Sequence, residues 1–458
     1  MPSMLMSSSG KKHIAFFAMS GIRVCDKALL EIGLTLPGFV ERSKTIASLP
    51  SLGLLTLIGM TPEERFARSY HEVPSLTDLP VLPGPFDLVA ISSLTAQIPE
   101  AYQLADRFRA AGTRVILGGL HVTALPEEAA QHADAVAIGE GESIWPEVLD
   151  DLSHGALKPV YDARRRPFNL ADSPMPAFEM LDIRRYNRIT VQTSRGCPLK
   201  CSFCASSIQL TPTYKQKPAE NVLAEIDRIC ALWRRPFIEL ADDNSFVDRR
   251  YWRALLPELA KRRIRWFTET DLSVADDEAL LALLAEAGCV EVLIGLESPT
   301  PAALSGIDRS GWKHKRAERA LDNVRLIQSY GIRVNGCFIV GLDTHTEQVF
   351  DDVFNFAREA ELFDVQITIP TPFPGTPLYR QYAVEGRLTY PTDWGRYTLF
   401  DLNFRPALMT GAQLVAGFHA LSKRLYSSEF TEWRRARFRQ RYRAARWQRR
   451  RLPAVEHA

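Results

Sequence analysis

Twice along this chain, short apolar runs of strand length alternate with longer stretches of helical periodicity, and that double alternation restricts the fold more than any other feature. The first series places strands at 13–19, 87–92, 114–117 and 134–138, with helical patterns at 53–66, 99–111, 126–131 and 143–152. Strands separated by helices pair as a parallel sheet covered on both faces, because each return path needs a crossover. Residues 1–152 are therefore expected to form a doubly wound α/β domain. Residues 153–186 lose the pattern, and Pro159, Arg164-Arg165-Arg166-Pro167 and Ser173-Pro174-Met175-Pro176 read as a linker. A second series follows, with strands at 189–193, 237–240, 265–268, 290–295, 334–340 and 365–369. Six strand–helix units predict a partial parallel barrel over 187–378, and 379–458 reads as a helical C-terminal region.

In such a barrel the reactive groups gather where strands end. Directly after the first strand of the second series comes Cys197-Pro198-Leu199-Lys200-Cys201-Ser202-Phe203-Cys204. Thiolates at this spacing hold three corners of an iron–sulfur cube and leave one iron open to the amine and carboxylate of S-adenosylmethionine. An electron passed through the cluster then breaks a carbon–sulfur bond and releases a 5′-deoxyadenosyl radical. Zinc is the competing reading, but a structural zinc site closes with four ligands, commonly in paired knuckles, and no second knuckle follows. Cys25, Cys230, Cys289 and Cys337 are scattered singly and read as small apolar residues; disulfides are not expected from this odd count.

Apolar runs such as 54–60 and 87–94 are far shorter than the roughly 20 residues that cross a bilayer, so no membrane span is expected. The opening residues show no apolar signal core, and the reducing cytoplasm is the expected compartment. The net charge of +2 conceals an asymmetry: the stretch from Arg434 to Arg451 is arginine-rich and holds no acid. Dotted with Phe438, Tyr442 and Trp447 and preceded by Trp433, it suits a solvated helix docked through its aromatic residues; contact with nucleic acid, an acidic lipid surface or an acidic partner is the alternative.

Further motifs sit at later strand ends: Asp242-Asp243-Asn244-Ser245-Phe246, Ile294-Gly295-Leu296-Glu297-Ser298, Phe338-Ile339-Val340-Gly341 and Pro372-Phe373-Pro374-Gly375-Thr376-Pro377. With the cysteine motif they resemble the radical S-adenosylmethionine superfamily. Together with Pro50-Ser51-Leu52-Gly53-Leu54, Gly118-Gly119-Leu120-His121 and Gly139-Glu140-Gly141-Glu142, they resemble its branch with an N-terminal cobalamin-binding domain, over about residues 13–390. The resemblance implies a Rossmann-like domain of the cobalamin-binding type followed by a (β/α)6 radical barrel. It implies a 4Fe-4S cluster on Cys197, Cys201 and Cys204, with S-adenosylmethionine and cobalamin as further cofactors. Phe203 is the aromatic residue that members place beside the third cysteine, often near the adenine. A zwitterionic sulfonium cofactor needs polar groups at fixed positions. Asp242, Asp243 and Asn244 suit its amine or ribose, Thr268 or Thr270 its carboxylate, and Glu297 a polar group of cofactor or substrate. Gly336 to Gly341 suits a backbone surface against the adenine, and Gly118, Gly119, Gly139 and Gly141 suit close approach of a corrin edge. Caps, turns, structural hydrogen bonds and close packing compete for each of these residues.

Many cobalamin domains carry Asp-x-His-x-x-Gly after the first strand, with the histidine on cobalt. Here that region reads Ala18-Met19-Ser20-Gly21-Ile22-Arg23, so cobalamin is expected to bind without a protein imidazole. The leading expectation is a cobalamin-dependent radical enzyme that methylates an unactivated carbon of a small or medium metabolite, with a flavodoxin- or ferredoxin-like protein as electron donor. Ring formation, rearrangement or oxidation without methyl transfer is the alternative, and an iron–sulfur sensor is the non-enzymatic one. A transfer-RNA methylthiolase would need three N-terminal cysteines where this chain has Cys25, so nucleic acid is not an expected partner.

Overall fold

The structure, a computed structural model, describes residues 10–21, 23–35, 49–206, 211 and 213–451. The chain divides into two compact units, one ending at Arg184 and the other running from Arg185 onward, with the segment between Gly21 and Pro50 belonging to the second.

In the first unit, the apolar run of β1 (Lys12–Met19) is buried from Ile14 onward, as a strand covered on both faces requires. Its parallel sheet has the order β2-β1-β3-β4-β5-β6, with β2 Phe66–Val73, β3 Leu88–Ser92, β4 Arg114–Gly118, β5 Ala135–Ile138 and β6 Val160–Asp162. From β1 the chain winds one way to β2 and the other way through β3, so the order reverses beside β1 and a ligand crevice is expected at the carboxyl ends there. Two strands depart from expectation. The predicted helix 53–66 stops at Gly59 and the chain continues into β2, an edge strand whose half-exposed polar residues give no apolar signal. The expected linker 153–186 contains β6, which pairs with β5 and extends the unit past residue 152.

In the second unit, six parallel strands stand in sequential order: β7 Ile189–Val191, β10 Phe237–Leu240, β11 Arg265–Thr270, β12 Cys289–Glu297, β13 Arg333–Ile339 and β14 Asp364–Thr368. A short antiparallel pair, β8 Ser194–Arg195 with β9 Lys215–Gln216, closes the loop that holds the cysteines. Trp266 of β11 stacks on Trp252 of the helix Arg249–Arg262, with ring centroids 6.0 Å apart. Trp266 and Thr268 therefore face the helix layer, and by strand alternation Phe267 and Glu269 face the barrel interior. The helix Lys27–Thr35 joins this unit, although it precedes most of the first: Cys25 and Asp26 donate backbone N–H bonds to Asp401, and Asp26 accepts from His419 Nε2 at 2.7 Å.

The C-terminal region is helical at Pro377–Val384, Gly411–Leu425 and Ser428–Arg451. The last helix is docked rather than free. Arg434 is fully buried, donating to the carbonyls of Phe363 and Leu425 at 3.1 and 3.0 Å, and Phe438 packs edge-on against Phe363. Replacing Arg434 with alanine removes a buried guanidinium together with its bonds to those carbonyls and should cost about 3 kcal/mol in denaturant unfolding, whereas exposed Arg439→Ala should stay within about 0.5 kcal/mol.

Candidate functional site

The cysteine loop follows β7 at the carboxyl edge of the barrel. Gly196 begins it at φ +81°, where a Cβ would lie 2.7 Å from the Thr213 carbonyl; glycine alone allows the chain to enter the loop at this point. Cys201 is buried, while Cys197 and Cys204 are partly exposed. Cys197 and Cys204 both lie near enough to Cys201 for their charges to act on its thiol, and the charge of Cys204 acts on Cys197. Burial pushes the Cys197 and Cys201 thiols above the ordinary cysteine range, so iron binding must displace their protons.

Three consecutive residues after β10 cradle this loop. The Asp242 carboxylate is buried and accepts from Thr193 N at 2.7 Å, Thr193 Oγ1 at 2.5 Å, Ser194 N at 3.0 Å and Ser245 Oγ at 2.8 Å. Asp243 accepts from Gly196 N at 2.7 Å and Ser206 Oγ at 2.5 Å, gripping the loop on both sides of the cysteines. Asn244 directs its Nδ2 toward Cys197 Sγ at 3.8 Å and donates to Asp271 Oδ2 at 2.8 Å; Thr270 Oγ1 donates to Asn244 Oδ1 at 3.3 Å. Thr268 is wholly buried and bonded to Ser245 and the Leu240 carbonyl. The ligand roles expected of Asp242 and Thr268 are thus corrected: their polar atoms are consumed inside the protein, where they fix the loop to β10 and β11. Asp243, Asn244 and Thr270 stand at the loop itself, as does half-buried Phe203.

Glu297 ends β12 in a left-handed conformation, φ +60°, and pairs with Lys313 Nζ at 2.9 Å. Lys313 also donates to the Gly295 carbonyl at 2.7 Å. Burial opposes its charge, but Glu297 and the nearby Cys201 sulfur outweigh burial and hold the ammonium above the ordinary lysine value. A Cβ on Gly336 would sit 2.8 Å from a Leu362 methyl and one on Gly341 2.7 Å from a Leu414 methyl, so close side-chain packing bears on both positions. The turn after β13 is held by buried His345, whose Nδ1 accepts from Gly341 N and Leu342 N at 3.2 Å each, leaving Nε2 to donate to Ser298 Oγ at 3.0 Å.

Sequence reasoning missed Glu269. It faces the barrel interior, and its carboxyl is pushed up to about 8 by burial and then by the charges of Glu239 and Asp243. Glu239 is compensated by Arg188 at 2.6 Å, whose charge only partly offsets the upward push on Glu269; Glu269 has no ion pair of its own among the described residues.

In the first unit, Gly118, Gly119, Gly139 and Gly141 all lie at the carboxyl edge of the sheet, but each space has an internal neighbour. A Cβ on Gly119 would approach the Ser93 carbonyl to 3.1 Å, one on Gly141 the Leu57 side chain to 3.4 Å, and one on Gly139 or Gly118 the Cβ of Ala163 or Ala137. Just beyond β3 at the same edge, Ser93 Oγ is buried without a hydrogen-bond partner among the described residues. Every histidine of this unit has a protein partner: His13 and His71 share Ser69, His121 meets Glu128, His132 meets Asp106 and His154 meets the Asp150 carbonyl.

Residues 191–357 match the Radical SAM superfamily and residues 84–149 match the B12 binding domain. The chain belongs to the radical S-adenosylmethionine superfamily, in the branch with an N-terminal cobalamin-binding domain. Among curated proteins, it is 28% identical to bacteriochlorophyllide d C-12(1)-methyltransferase of Chlorobaculum tepidum over 74% of this chain and 75% of that protein. It is 27% identical to hopanoid C-2 methylase of Rhodopseudomonas palustris over 84% of this chain and 72% of that protein. The fold is shared with the radical S-adenosylmethionine methyltransferase TsrM of Kitasatospora setae, solved with cobalamin and a [4Fe-4S] cluster, at TM-score 0.65 and 16% identity, covering 95% of this chain and 100% of that one.

The cofactors of this radical enzyme are a 4Fe-4S cluster, S-adenosylmethionine and cobalamin. The residues present fit them. A loop that carries three cysteines at this spacing and is gripped on both sides by Asp243 suits three irons of one cube, and the Ser93 Oγ, buried without a partner among the described residues beside a glycine edge, suits a polar group of a corrinoid. Because the segment after β1 reads Ala18-Met19-Ser20-Gly21, without the Asp-x-His-x-x-Gly that would present an imidazole to cobalt, cob(II)alamin bound to the protein should show no nitrogen superhyperfine splitting from a protein ligand in its electron paramagnetic resonance spectrum. Asp242→Ala frees the buried donors of Thr193 and Ser194 together and should lower stability by roughly 3 kcal/mol and reduce bound iron, measured by denaturant unfolding and iron assay. His345 supplies a pH signature. Its pKa falls to about 4 through burial, from an ordinary 6.5, so its contribution is fully present above pH 6.5 and is lost as pH drops toward 4. Stability should decline by about 2 kcal/mol between pH 7 and about pH 5, and His345→Gln should flatten that slope.

Proposed function

We propose that this enzyme transfers a methyl group to an unactivated carbon of a small or medium metabolite. The observation that carries the reading is one chain holding both a gripped three-cysteine loop at the mouth of a six-stranded parallel barrel and a domain matching the B12 binding family. Bound cluster and S-adenosylmethionine supply a carbon-centred radical, and bound cobalamin supplies a methyl carrier.

Cys197, Cys201 and Cys204 hold the irons, while Asp243 and Asn244 keep the loop from shifting. Asn244, Thr270 and Asp271 form a connected polar row beside Cys197, suited to the amine and carboxylate of the methionine portion. Glu269 keeps its proton at neutral pH and so offers a substrate heteroatom a neutral donor and acceptor rather than a charge. Phe267 and the compensated Glu239–Arg188 pair close the interior below it, which shields a radical from water. The relatives at 27–28% identity bear methyltransferase or methylase names, whereas cyclases match at 23–24%, which favours methyl transfer over ring formation; a flavodoxin- or ferredoxin-like protein is the proposed electron donor.

The test is anaerobic turnover of the reconstituted enzyme with S-adenosylmethionine carrying a deuterated methyl group, followed by mass spectrometry of candidate substrates. Labelled methyl in the product supports the reading; a cyclised or oxidised product without label replaces it. Cys201→Ala should lose the cluster absorbance near ~400 nm and reduce 5′-deoxyadenosine formation at least about a hundredfold, because each thiolate serves a different iron.

A further inference from the structure

The arginines of the last helix, Ser428–Arg451, fall into two populations. Toward the body, Arg434 is bound by backbone carbonyls, Arg437 and Arg441 both pair with Glu361, and Arg449 lies over the Tyr330 ring at 4.0 Å. Tyr442 fills the space above Gly331. These contacts define the docked face. Arg443 lies nine residues after Arg434, two and a half helical turns, and so points the opposite way. Arg439 and Arg446 flank it one turn to either side, and all three are exposed with no ion-pair partner among the described residues. Trp447 follows Arg443 on the same face, 55% exposed, and Trp433 is 36% exposed near the start of the helix.

We propose that this outward face docks the protein on an anionic lipid surface. Guanidinium groups in a line bind phosphate oxygens in pairs, and an exposed indole is most stable at the boundary between headgroups and acyl chains. The face is a single convex helix, without the basic groove that tracks a nucleic-acid strand, so lipid fits it better than RNA. Attachment is electrostatic, since the indoles are its main apolar residues, and it must weaken as salt screens the headgroups.

The test is co-sedimentation of the full-length protein with phosphatidylcholine vesicles containing about 30% phosphatidylglycerol, against pure phosphatidylcholine vesicles and a labelled single-stranded RNA. The wild type should sediment with the anionic vesicles alone and be released near ~0.5 M salt. The triple variant Arg439→Ala, Arg443→Ala, Arg446→Ala should lose roughly a hundredfold in partitioning, because each basic residue near such a surface contributes about fivefold. Its circular dichroism and bound iron should match the wild type, which separates lost docking from lost folding. Trp447→Ala should weaken binding less and remove a blue shift of tryptophan emission. Equal sedimentation with both vesicle types, sedimentation with neither, an unaffected triple variant, or tighter retention of the RNA than of the vesicles would each overturn the proposal.

Discussion

The site depends first on one buried carboxylate. Asp242 lies two residues beyond β10, and its two oxygens collect donors from Thr193, Ser194 and Ser245. A dry carboxylate of this kind is tolerable only with its lone pairs filled, and the backbone N–H groups at the end of β7 are tolerable only with an acceptor. Each side therefore requires the other, and the start of the cysteine loop is fixed to the neighbouring strand. Ser245 passes the constraint on to Thr268 of β11, so three strands share it. Asp243 and Asn244 can act on the loop only because Asp242 sets the point at which the chain leaves β10. A cube held by three thiols needs such support, since its ligands come from one short loop that would otherwise move as a unit.

A second constraint is charge. The barrel wall and its rim carry Glu239, Glu269, Asp271 and Glu297, and three iron-bound thiolates would add more negative charge nearby. The protein answers unevenly. Glu239 has Arg188, Glu297 has Lys313, and Glu269, with no ion pair of its own among the described residues, is pushed up to about 8 despite the nearby Arg188 charge. The interior is thereby polar without an uncompensated charge at its centre, which suits positioning of a substrate beside a reactive carbon radical. Lys313 does more than balance Glu297, because it lies near enough to Cys201 for the two charges to interact.

The alternation of strands and helices was legible because parallel strands covered on both faces leave long apolar runs such as Ile14–Met19. β2 was not, since an edge strand reading Phe66-Ala-Arg-Ser-Tyr-His-Glu-Val73 buries only its ends. Nor could the sequence show that Lys27–Thr35 leaves the domain around it to join the second unit; that rests on Asp26 and Asp401, remote partners with no local pattern. At the site, the cysteines announced themselves by spacing, and Asp242 to Asn244 by their place after a strand. Their division of labour was hidden, because identical residue types bond inward at 242 and hold the loop at 243. Lys313 and Glu269 sit in ordinary helix and strand contexts, and only packing makes one a buried ammonium and the other a protonated acid. An unpartnered serine such as Ser93 has no sequence signature at all.

The same limit governs the arginine-rich tail. Composition counts its charges but cannot say which remain available, and the helix settles that by rotation. Residues spaced like Arg434, Phe438, Arg441 and Tyr442 recur on one face, where carbonyls, Glu361 and Gly331 receive them. Part of the tail's positive charge is therefore structural, neutralised against the body or spent on backbone. What distinguishes Arg439, Arg443 and Arg446 is angular position, not residue type. A basic segment can thus secure its own helix with some arginines while holding others ready for an anionic surface.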